Sequence, residues 1–200
     1  MTRYHFDLAR PDDDAELRAL LHRIEMPGPV RLKLLREPGF FAGTDLGPDD
    51  LLVARDRSGR MVGTLGLRDQ RSLRQSVVSG YQRPLQLLRP AHNLVAQIRR
   101  GVPLPPPGSR LDHAVAALPL TAPDRAAVLD ALLTRAQHLA HARRIPFFLF
   151  GLHQDDHRHQ VARRRASHRY HTTVHLVAWD EPPAAVLDDR RVPYLELGLL

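Results

Sequence analysis

One stretch of the sequence, residues 111–152, restricts the fold more than any other. It contains an apolar strand, LDHAVAALPL, a short turn, TAPDR, a long amphipathic helix, AAVLDALLTRAQHLAHARRI, and a second apolar strand, PFFLFGL. Two strands joined by a helical crossover usually form a right-handed unit with parallel strands. The amino end of the crossover helix presents free N–H groups and the positive end of the helix dipole. We therefore predict a parallel strand pair, and if the protein has a small-molecule site, we expect it around residues 118–127, where the helix end favours anions.

Length and composition are sufficient for one domain with a proper hydrophobic core. The chain has 200 residues, of which 43% are hydrophobic, and we expect a single domain over residues 1–200. Its net charge of +7 comes almost wholly from arginine, since Lys33 is the only lysine. Arginine pairs well with carboxylates and phosphates, although arginine-rich sequences also follow from GC-rich coding. The absence of cysteine excludes disulfides, thiolate metal sites and a cysteine nucleophile.

The sequence carries no sign of membrane insertion or export. The amino-terminal residues, MTRYHFDLARPDDD, lack an apolar core of signal-peptide length. No apolar run reaches the roughly 18 residues that a membrane span needs. We therefore expect a cytoplasmic protein without a membrane partner.

The amino-terminal residues predict a strand followed by a helix. Residues 4–9 alternate loosely between polar and apolar side chains and end before Pro11. Asp13 followed by Glu16 resembles a capping box, and the apolar residues after it recur on one helical face. That face comprises Leu17, Leu20, Leu21 and Ile24. The helix should end at Met26-Pro27-Gly28-Pro29, and residues 30–43 suit either a strand or a helix.

Residues 51–67 predict a β-hairpin. Two apolar runs, at 51–55 and 60–67, flank the polar turn Asp56-Arg57-Ser58-Gly59. Gly63 and Gly66 lie in the second run, where glycine leaves room for a bulge or for close approach of another backbone.

Residues 70–110 interrupt this order of strands and helices. Apolar residues recur at helical spacing from about 84 to 99, and the run VPLPPPG at 102–108 then ends regular structure. The proline-rich run suits either a stiff spacer or an SH3-type ligand. The apolar helix face can cover a neighbouring cleft or mediate a homodimer, and the sequence does not separate these roles.

The carboxyl-terminal residues predict one further helix and two further strands. The helix is expected at 155–166, and the strands are expected at 172–179 and 194–200. The whole order predicts one α/β (α+β) domain with a mixed sheet of about seven strands flanked by helices.

This order of elements resembles that of the GNAT superfamily of N-acetyltransferases over nearly the full length. The stretches YHFDLARPDDDAELRALLHRIEMPGPVRL and DLLVARDRSGRMVGTLGL are similar to a GNAT amino-terminal half. FFLFGL and TTVHLVAW are similar to the fifth and sixth GNAT strands. The resemblance implies that residues 70–110 are an insertion between the third and fourth strands.

The resemblance also implies a binding site for acetyl-CoA between splayed fourth and fifth strands. Backbone groups of the fourth strand hold the pantetheine arm in that family, and the turn before the next helix holds the diphosphate. The corresponding positions here are Leu118, Leu120, Thr121, Arg125, Ala126 and Ala127. The family turn reads Arg/Gln-x-x-Gly-x-Gly/Ala, whereas residues 121–127 contain no glycine to expose bare N–H groups. Pro123 removes a donor, and Asp124 adds a negative charge.

Acetyl transfer to an amine needs a group that accepts the ammonium proton. Asp112 and His113 begin the fourth strand, where adjacent side chains point to opposite faces, so one of them can face the acceptor. Both can instead be polar residues at the strand surface. Tyr170 is the candidate general acid toward the departing thiolate, and the alternative is a packing tyrosine.

The remaining charged clusters suggest no separate chemistry. Eight of the twelve histidines lie between His138 and His175, and His153 and His157 would share a helical face near Asp155 and Asp156. Because the spacing matches no zinc motif, we predict solvated polar residues and no metal site. The basic run 163–165 lacks interleaved aromatic residues, so we expect no nucleic-acid partner.

Two functions therefore follow from the resemblance. The first is an N-acyltransferase that uses acetyl-CoA and acts on a small-molecule or peptide amine. The second is a catalytically inactive module of the same fold that binds a ligand or a partner protein.

Overall fold

The computed structural model describes residues 4–24, 39, 41–43, 46–72, 75–99, 101–122, 125–165 and 171–173. Its strands and helices are β1 His5–Leu8, α1 Asp14–Arg23, β2 Leu51–Arg55, β3 Met61–Asp69, α2 Arg83–Ile98, β4 His113–Thr121, α3 Ala126–Ala142, β5 Phe147–Leu149 and α4 His159–Arg163. Short 3-10 turns lie at Pro11–Asp13, Phe41–Gly43 and Pro48–Asp50. None of the helices in these ranges is long and apolar enough to cross a bilayer.

The sheet follows the chain, with strand order β1-β2-β3-β4-β5. The pairs β1–β2, β2–β3 and β3–β4 are antiparallel, and β5 runs parallel to β4. The parallel pair joined by helix α3 confirms the crossover unit that the sequence predicts.

The core has two layers because alternate residues of each strand point to opposite faces of the sheet. In β2, Leu51 and Val53 pack on the α1 side, whereas Leu52 and Ala54 pack on the α3 side. The α1 layer is built on the three leucines predicted for its buried face, namely Leu17, Leu20 and Leu21. The α3 layer is built on Val128, Leu129, Leu132, Leu133 and Ala136.

Helix α1 begins as expected, but the predicted capping box of Asp13 and Glu16 is wrong. Asp13 Oδ2 accepts a hydrogen bond from the Arg10 backbone N–H at 2.9 Å. Glu16 instead accepts one from the Met61 backbone N–H at 2.5 Å and also pairs with the Arg55 guanidinium. Arg55 reaches Asp13 Oδ1 as well, at 2.5 Å. The Glu16 carboxylate therefore bonds the hairpin residues Met61 and Arg55 instead of the helix start. These bonds fasten α1 to β2 and β3.

The hairpin is confirmed, and its two interior glycines act as predicted. The β2–β3 turn places Gly59 at φ +83°. The register between β3 and β4 shifts between Thr64 and Gly66, as in a bulge. A Cβ added at Gly63 would lie 2.9 Å from both Thr121 Cγ2 and Val128 Cγ1. Glycine therefore lets β3 approach the end of β4 and the start of α3.

Several predicted boundaries are confirmed, whereas the helix predicted at 155–166 is mostly wrong. Helix α3 begins at Ala126 as predicted and ends at Ala142 within the predicted stretch, and α2 lies between β3 and β4 as an insertion. Within residues 155–165, only His159–Arg163 is helical. Asp156 accepts a hydrogen bond from the Arg158 backbone N–H at 2.8 Å, and this forms a turn just before the helix.

The described part of the sheet has five strands instead of about seven. The predicted strand at 194–200 and most of the one at 172–179 lie outside the described residues, as does most of the ambiguous segment 30–43. The single domain over residues 1–200 stays a prediction.

We expect Gly63→Ala to destabilise the fold by about 1–3 kcal/mol, since the new methyl group overlaps two side chains of the buried layer. Gly80→Ala is the matched control, because a Cβ at Gly80 has no neighbour within 4 Å. Urea unfolding of both variants measures the difference. Equal unfolding midpoints for the two variants would show that β3 does not need a bare backbone at Gly63.

Candidate functional site

The ladder between β4 and β5 contains all three residues of β5 but only the first three of the nine residues of β4. The register runs from His113 opposite Phe147 to Val115 opposite Leu149 and then stops. Strand β4 continues to Thr121, and no described strand pairs with its second half on that side. A cleft therefore opens between the two strands toward the amino end of α3.

A kink in β4 produces this separation. Leu118 adopts φ +49°, a left-handed conformation that costs roughly 1–2 kcal/mol for a residue with a side chain. The Thr64 hydroxyl donates to the Leu118 carbonyl at 2.9 Å, and the Leu118 side chain is fully buried in the α1 layer. The next residue, Pro119, has no N–H for a ladder bond with β5. The kink and the proline together end the pairing.

A cavity of about 190 Å³ lies at the wide end of the cleft. It is lined by Thr121, Ala122, Ala126, Leu129, His157, Arg158, Gln160 and Val161. The first N–H groups of α3 have no acceptor within the helix, and its first turn carries no acidic residue. This wall of the cavity therefore favours negative charge.

Arg158 lines the cavity and is held in place by Asp156, which lies behind it outside the lining. Arg158 donates to Asp156 through Nε at 2.9 Å and through Nη2 at 2.6 Å, and both side chains are largely buried. The third guanidinium nitrogen, Nη1, donates a hydrogen bond to the Pro119 carbonyl at 2.7 Å. We call residues 153–165, which contain α4, the α4 segment. The pair thus fastens the α4 segment to β4 beyond the point where the ladder with β5 ends.

Opposing effects act on the pKa of the Asp156 carboxyl. Burial raises its pKa, but the hydrogen bonds and positive charge of Arg158 outweigh burial and hold the pKa below 3.8. Asp156 is therefore ionised at neutral pH, and Arg158 is held in place by a full negative charge.

A second arginine attaches the end of α4 to helix α3. Arg165 Nε donates to Asp130 Oδ1 at 2.7 Å, and Nη2 donates to the Thr134 hydroxyl at 2.5 Å. The hydrogen bond from Arg165 lowers the pKa of Asp130. Within the basic run 163–165, Arg163 and Arg164 are exposed as predicted, whereas Arg165 has this structural role.

The cavity includes two of the six residues proposed to bind the coenzyme. Thr121 and Ala126 line it. Leu118 and Leu120 bury their side chains in the α1 layer, so only their backbone groups can meet a ligand. Arg125 is the residue before α3, and its N–H bonds the Ala122 carbonyl at 2.9 Å. Ala127 is exposed and does not line the cavity.

The proposed proton-transfer residues lie at the other end of β4. Asp112 forms an ion pair with Arg110 at 2.6 Å, and His113 is buried with Nδ1 3.0 Å from the Leu111 carbonyl oxygen. At about 3.3 Å per residue, His113 lies roughly 25 Å from Thr121. Tyr170 is outside the described residues. All three catalytic roles stay predictions.

The histidines of the α4 segment are only loosely placed against carboxylates. His153 Nδ1 lies 3.7 Å from Asp155 Oδ2, and His157 Nδ1 lies 3.7 Å from Asp156 Oδ1. Over the described ranges, no group of three or more His, Asp or Glu side chains is arranged to hold a metal ion.

Sequence reasoning missed Asp156, Arg158, Gln160 and Val161 as parts of the site. An Asp two residues before an Arg is a frequent turn pattern and was a weak signal. The contact between Arg158 and Pro119 is long-range and left no local pattern.

Comparison with solved structures identifies the fold. A predicted acetyltransferase with acetyl-CoA from Clostridium acetobutylicum is 12% identical, with 87% of this chain and 96% of that chain covered and a TM-score of 0.50. An acetyltransferase from Trypanosoma brucei is 13% identical, with 86% and 99% covered and a TM-score of 0.43. No protein-family model and no curated protein matches the sequence. The likeness to the Clostridium acetobutylicum structure shows the fold of this chain, which is the GNAT-like fold that the sequence predicts.

We expect Asp156→Asn to destabilise the protein by roughly 1–3 kcal/mol at neutral pH, since a largely buried guanidinium loses its carboxylate. The pKa of Asp156 is lowered by folding, so its contribution is present above pH 3.8 and is lost as pH falls through the lowered pKa. Urea unfolding of wild type and variant at neutral and acid pH measures this difference, which should shrink at acid pH.

Asp155→Asn is the control for this measurement, because the Asp155 side chain is 68% exposed. A loss of stability in Asp155→Asn as large as that in Asp156→Asn would contradict a specific role for the Asp156–Arg158 pair. A difference that is independent of pH would do so as well.

Proposed function

We propose that the chain is a GNAT-type N-acyltransferase that transfers an acetyl or other acyl group from acyl-CoA to a primary amine. The separation of β4 from β5 beyond Val115 and Leu149 carries this proposal. A continuous ladder between these strands would leave no room for the coenzyme. The Clostridium acetobutylicum structure of the same fold is described with acetyl-CoA, which supports acetyl-CoA as the co-substrate here.

The residues around the cavity fit one segment of the coenzyme. At about 190 Å³ the cavity is smaller than the roughly 300–1,000 Å³ of whole ligand sites, so only part of the coenzyme can occupy it. The amino end of α3 and the neighbouring His157 suit the diphosphate. Ala122 and Ala126 have side chains small enough for a phosphate to approach the backbone. Thr121 and Ala126 would hold this segment.

Bound acyl-CoA would supply an activated thioester for direct attack by the amine. The protein's own tasks are to orient the amine and to accept its proton. His113 is our preferred acceptor, because the Leu111 carbonyl beside Nδ1 selects the tautomer whose Nε2 can take a proton. Asp112 and Tyr170 remain the other proposed participants, and the acceptor is a small-molecule or peptide amine.

The second candidate, an inactive module of the same fold, is favoured by the backbone at the kink. Pro119 has no N–H to offer a pantetheine arm, and Arg158 already occupies its carbonyl. Residues 121–127 also lack the glycines that expose N–H groups to a diphosphate. In this case the cleft binds another ligand or a partner protein.

We expect coenzyme A to raise the melting temperature and to give a calorimetric binding signal, because a ligand of the folded state stabilises it. Ala126→Glu should weaken this binding at least roughly tenfold, since the new carboxylate would face the diphosphate. His138→Glu is the control, because it adds a negative charge to an exposed position of the same helix away from the cavity.

The absence of a melting shift and of heat with millimolar coenzyme A would overturn the acyltransferase proposal. Binding that appears only in Arg158→Ala would instead support the inactive module, with Arg158 as the group that blocks the strand.

A further inference from the structure

The insertion between β3 and β4 forms an arm that is held together by its own bonds. We call residues 70–111 the insertion arm. At its base, Leu111 N–H donates to the Ser76 carbonyl at 2.8 Å, and Val78 N–H donates to the Ser109 carbonyl at 3.0 Å. The two sides of the arm thus run side by side away from the sheet.

Helix α2 is fastened to the returning proline-rich segment by side-chain bonds. Asn93 Nδ2 donates to the Leu104 carbonyl at 3.0 Å, and Leu104 N–H donates to Asn93 Oδ1 at 2.8 Å. The Tyr81 hydroxyl donates to the Pro105 carbonyl at 2.6 Å. These bonds orient the helix within the arm and determine which of its faces points outward.

The inward face of α2 is the less apolar one. Ala96 is its only buried residue, and Leu85, Arg89 and Asn93 are half-buried on the same side. At about 100° per residue, these four positions fall on one side of the helix.

The opposite side of α2 is a continuous aliphatic surface, which we call the apolar face of α2. It consists of Leu87, Leu88, Leu94, Val95 and Ile98, which are 80%, 61%, 60%, 47% and 75% exposed. No described residue covers it. Aliphatic surface of this kind on one helix face marks an interaction site.

The insertion arm also carries the excess charge of the whole chain. Residues 70–111 contain seven arginines and no aspartate or glutamate. Removing these seven from the 29 basic residues leaves 22, which equals the number of acidic residues. At the base of the arm, Arg71 and Arg110 pair with carboxylates at the adjoining ends of β3 and β4.

The exposed Arg83 and Arg99 lie beside the apolar face of α2. At about 100° per residue they fall on opposite edges of that face, near the two ends of the helix. Long arginine side chains at the edges of an apolar face can reach anionic groups while the aliphatic residues are buried. Residues 70–111 offer them no carboxylate partner.

We propose that the apolar face of α2 docks on an anionic lipid bilayer. An amphipathic helix with a basic border lies in the membrane interface, where apolar burial and attraction to anionic headgroups add together. A second copy of the chain fits less well, because two such helices would bring arginines together without carboxylates. The face also lacks the aromatic residues that are enriched in protein interfaces.

This docking is independent of acyl transfer and differs from the expectation of no membrane partner. That expectation rested on the absence of a span and of a signal peptide, and an interfacial helix needs neither. The exposure of the apolar face of α2 became known only from the structure.

Flotation of the full chain with vesicles tests the docking. We expect binding to phosphatidylcholine vesicles that contain phosphatidylglycerol and much weaker binding to pure phosphatidylcholine. Leu87→Glu/Leu94→Glu should reduce binding at least roughly hundredfold, since two buried leucines are lost. Arg83→Gln/Arg99→Gln should reduce it roughly tenfold to thirtyfold, because each basic residue near the surface adds attraction.

Matched controls separate the apolar face from net charge. Gln86→Glu/Gln97→Glu makes the same charge change on exposed positions outside the apolar face of α2, and Arg57→Gln/Arg163→Gln removes two exposed arginines outside the arm. Unchanged melting temperatures would show that each variant is folded.

Three outcomes would overturn the docking. The first is that the wild-type chain does not bind anionic vesicles at low salt, which would leave a protein partner for the face. The second is a concentration-dependent dimer that Leu87→Glu/Leu94→Glu dissociates, which would make the face an interface between copies. The third is equal loss of vesicle binding in each test variant and its control.

Discussion

The left-handed backbone of Leu118 is the constraint on which the rest of the structure depends. With an extended Leu118, β4 would remain straight, and the ladder could continue past Val115 along the residues that follow β5. The conformation is unfavourable for leucine, and it is stabilised by complete burial of the side chain and by the Thr64 hydroxyl. Gly63 lets β3 lie close to the redirected strand. The cleft is therefore a product of the core and does not depend on a ligand to hold it open.

Arginine has two separate uses in this molecule. Inside the fold, Arg55 fastens α1 to the hairpin, and Arg158 and Arg165 fasten the α4 segment to β4 and α3. Each of these side chains is paired with a carboxylate, so the ion pairs hold the elements together without adding net charge. The unbalanced arginines lie in the insertion arm. The net positive charge is therefore concentrated in one segment of the sequence instead of being spread over the whole chain.

The sequence predicted those elements whose signals are local. Helix α3 and the hairpin are defined by apolar spacing and turn residues within a few positions, and their bounds were predicted closely. The kink at Leu118 was not predicted, since leucine gives no sign of a left-handed conformation that only tertiary packing stabilises. The place of Arg158 in the cavity was missed for the same reason, because its partner on β4, Pro119, is 39 positions away.

Pro119 has a further consequence for the behaviour of the folded chain in solution. Where the ladder with β5 ends, the second half of β4 is a sheet edge that no strand of the described residues covers, and such edges recruit strands from other molecules. A proline cannot donate to an incoming strand, and the Arg158 guanidinium already occupies its carbonyl. The cleft is thus open to a ligand but closed to edge-to-edge strand addition, so an open site need not bring a tendency to aggregate.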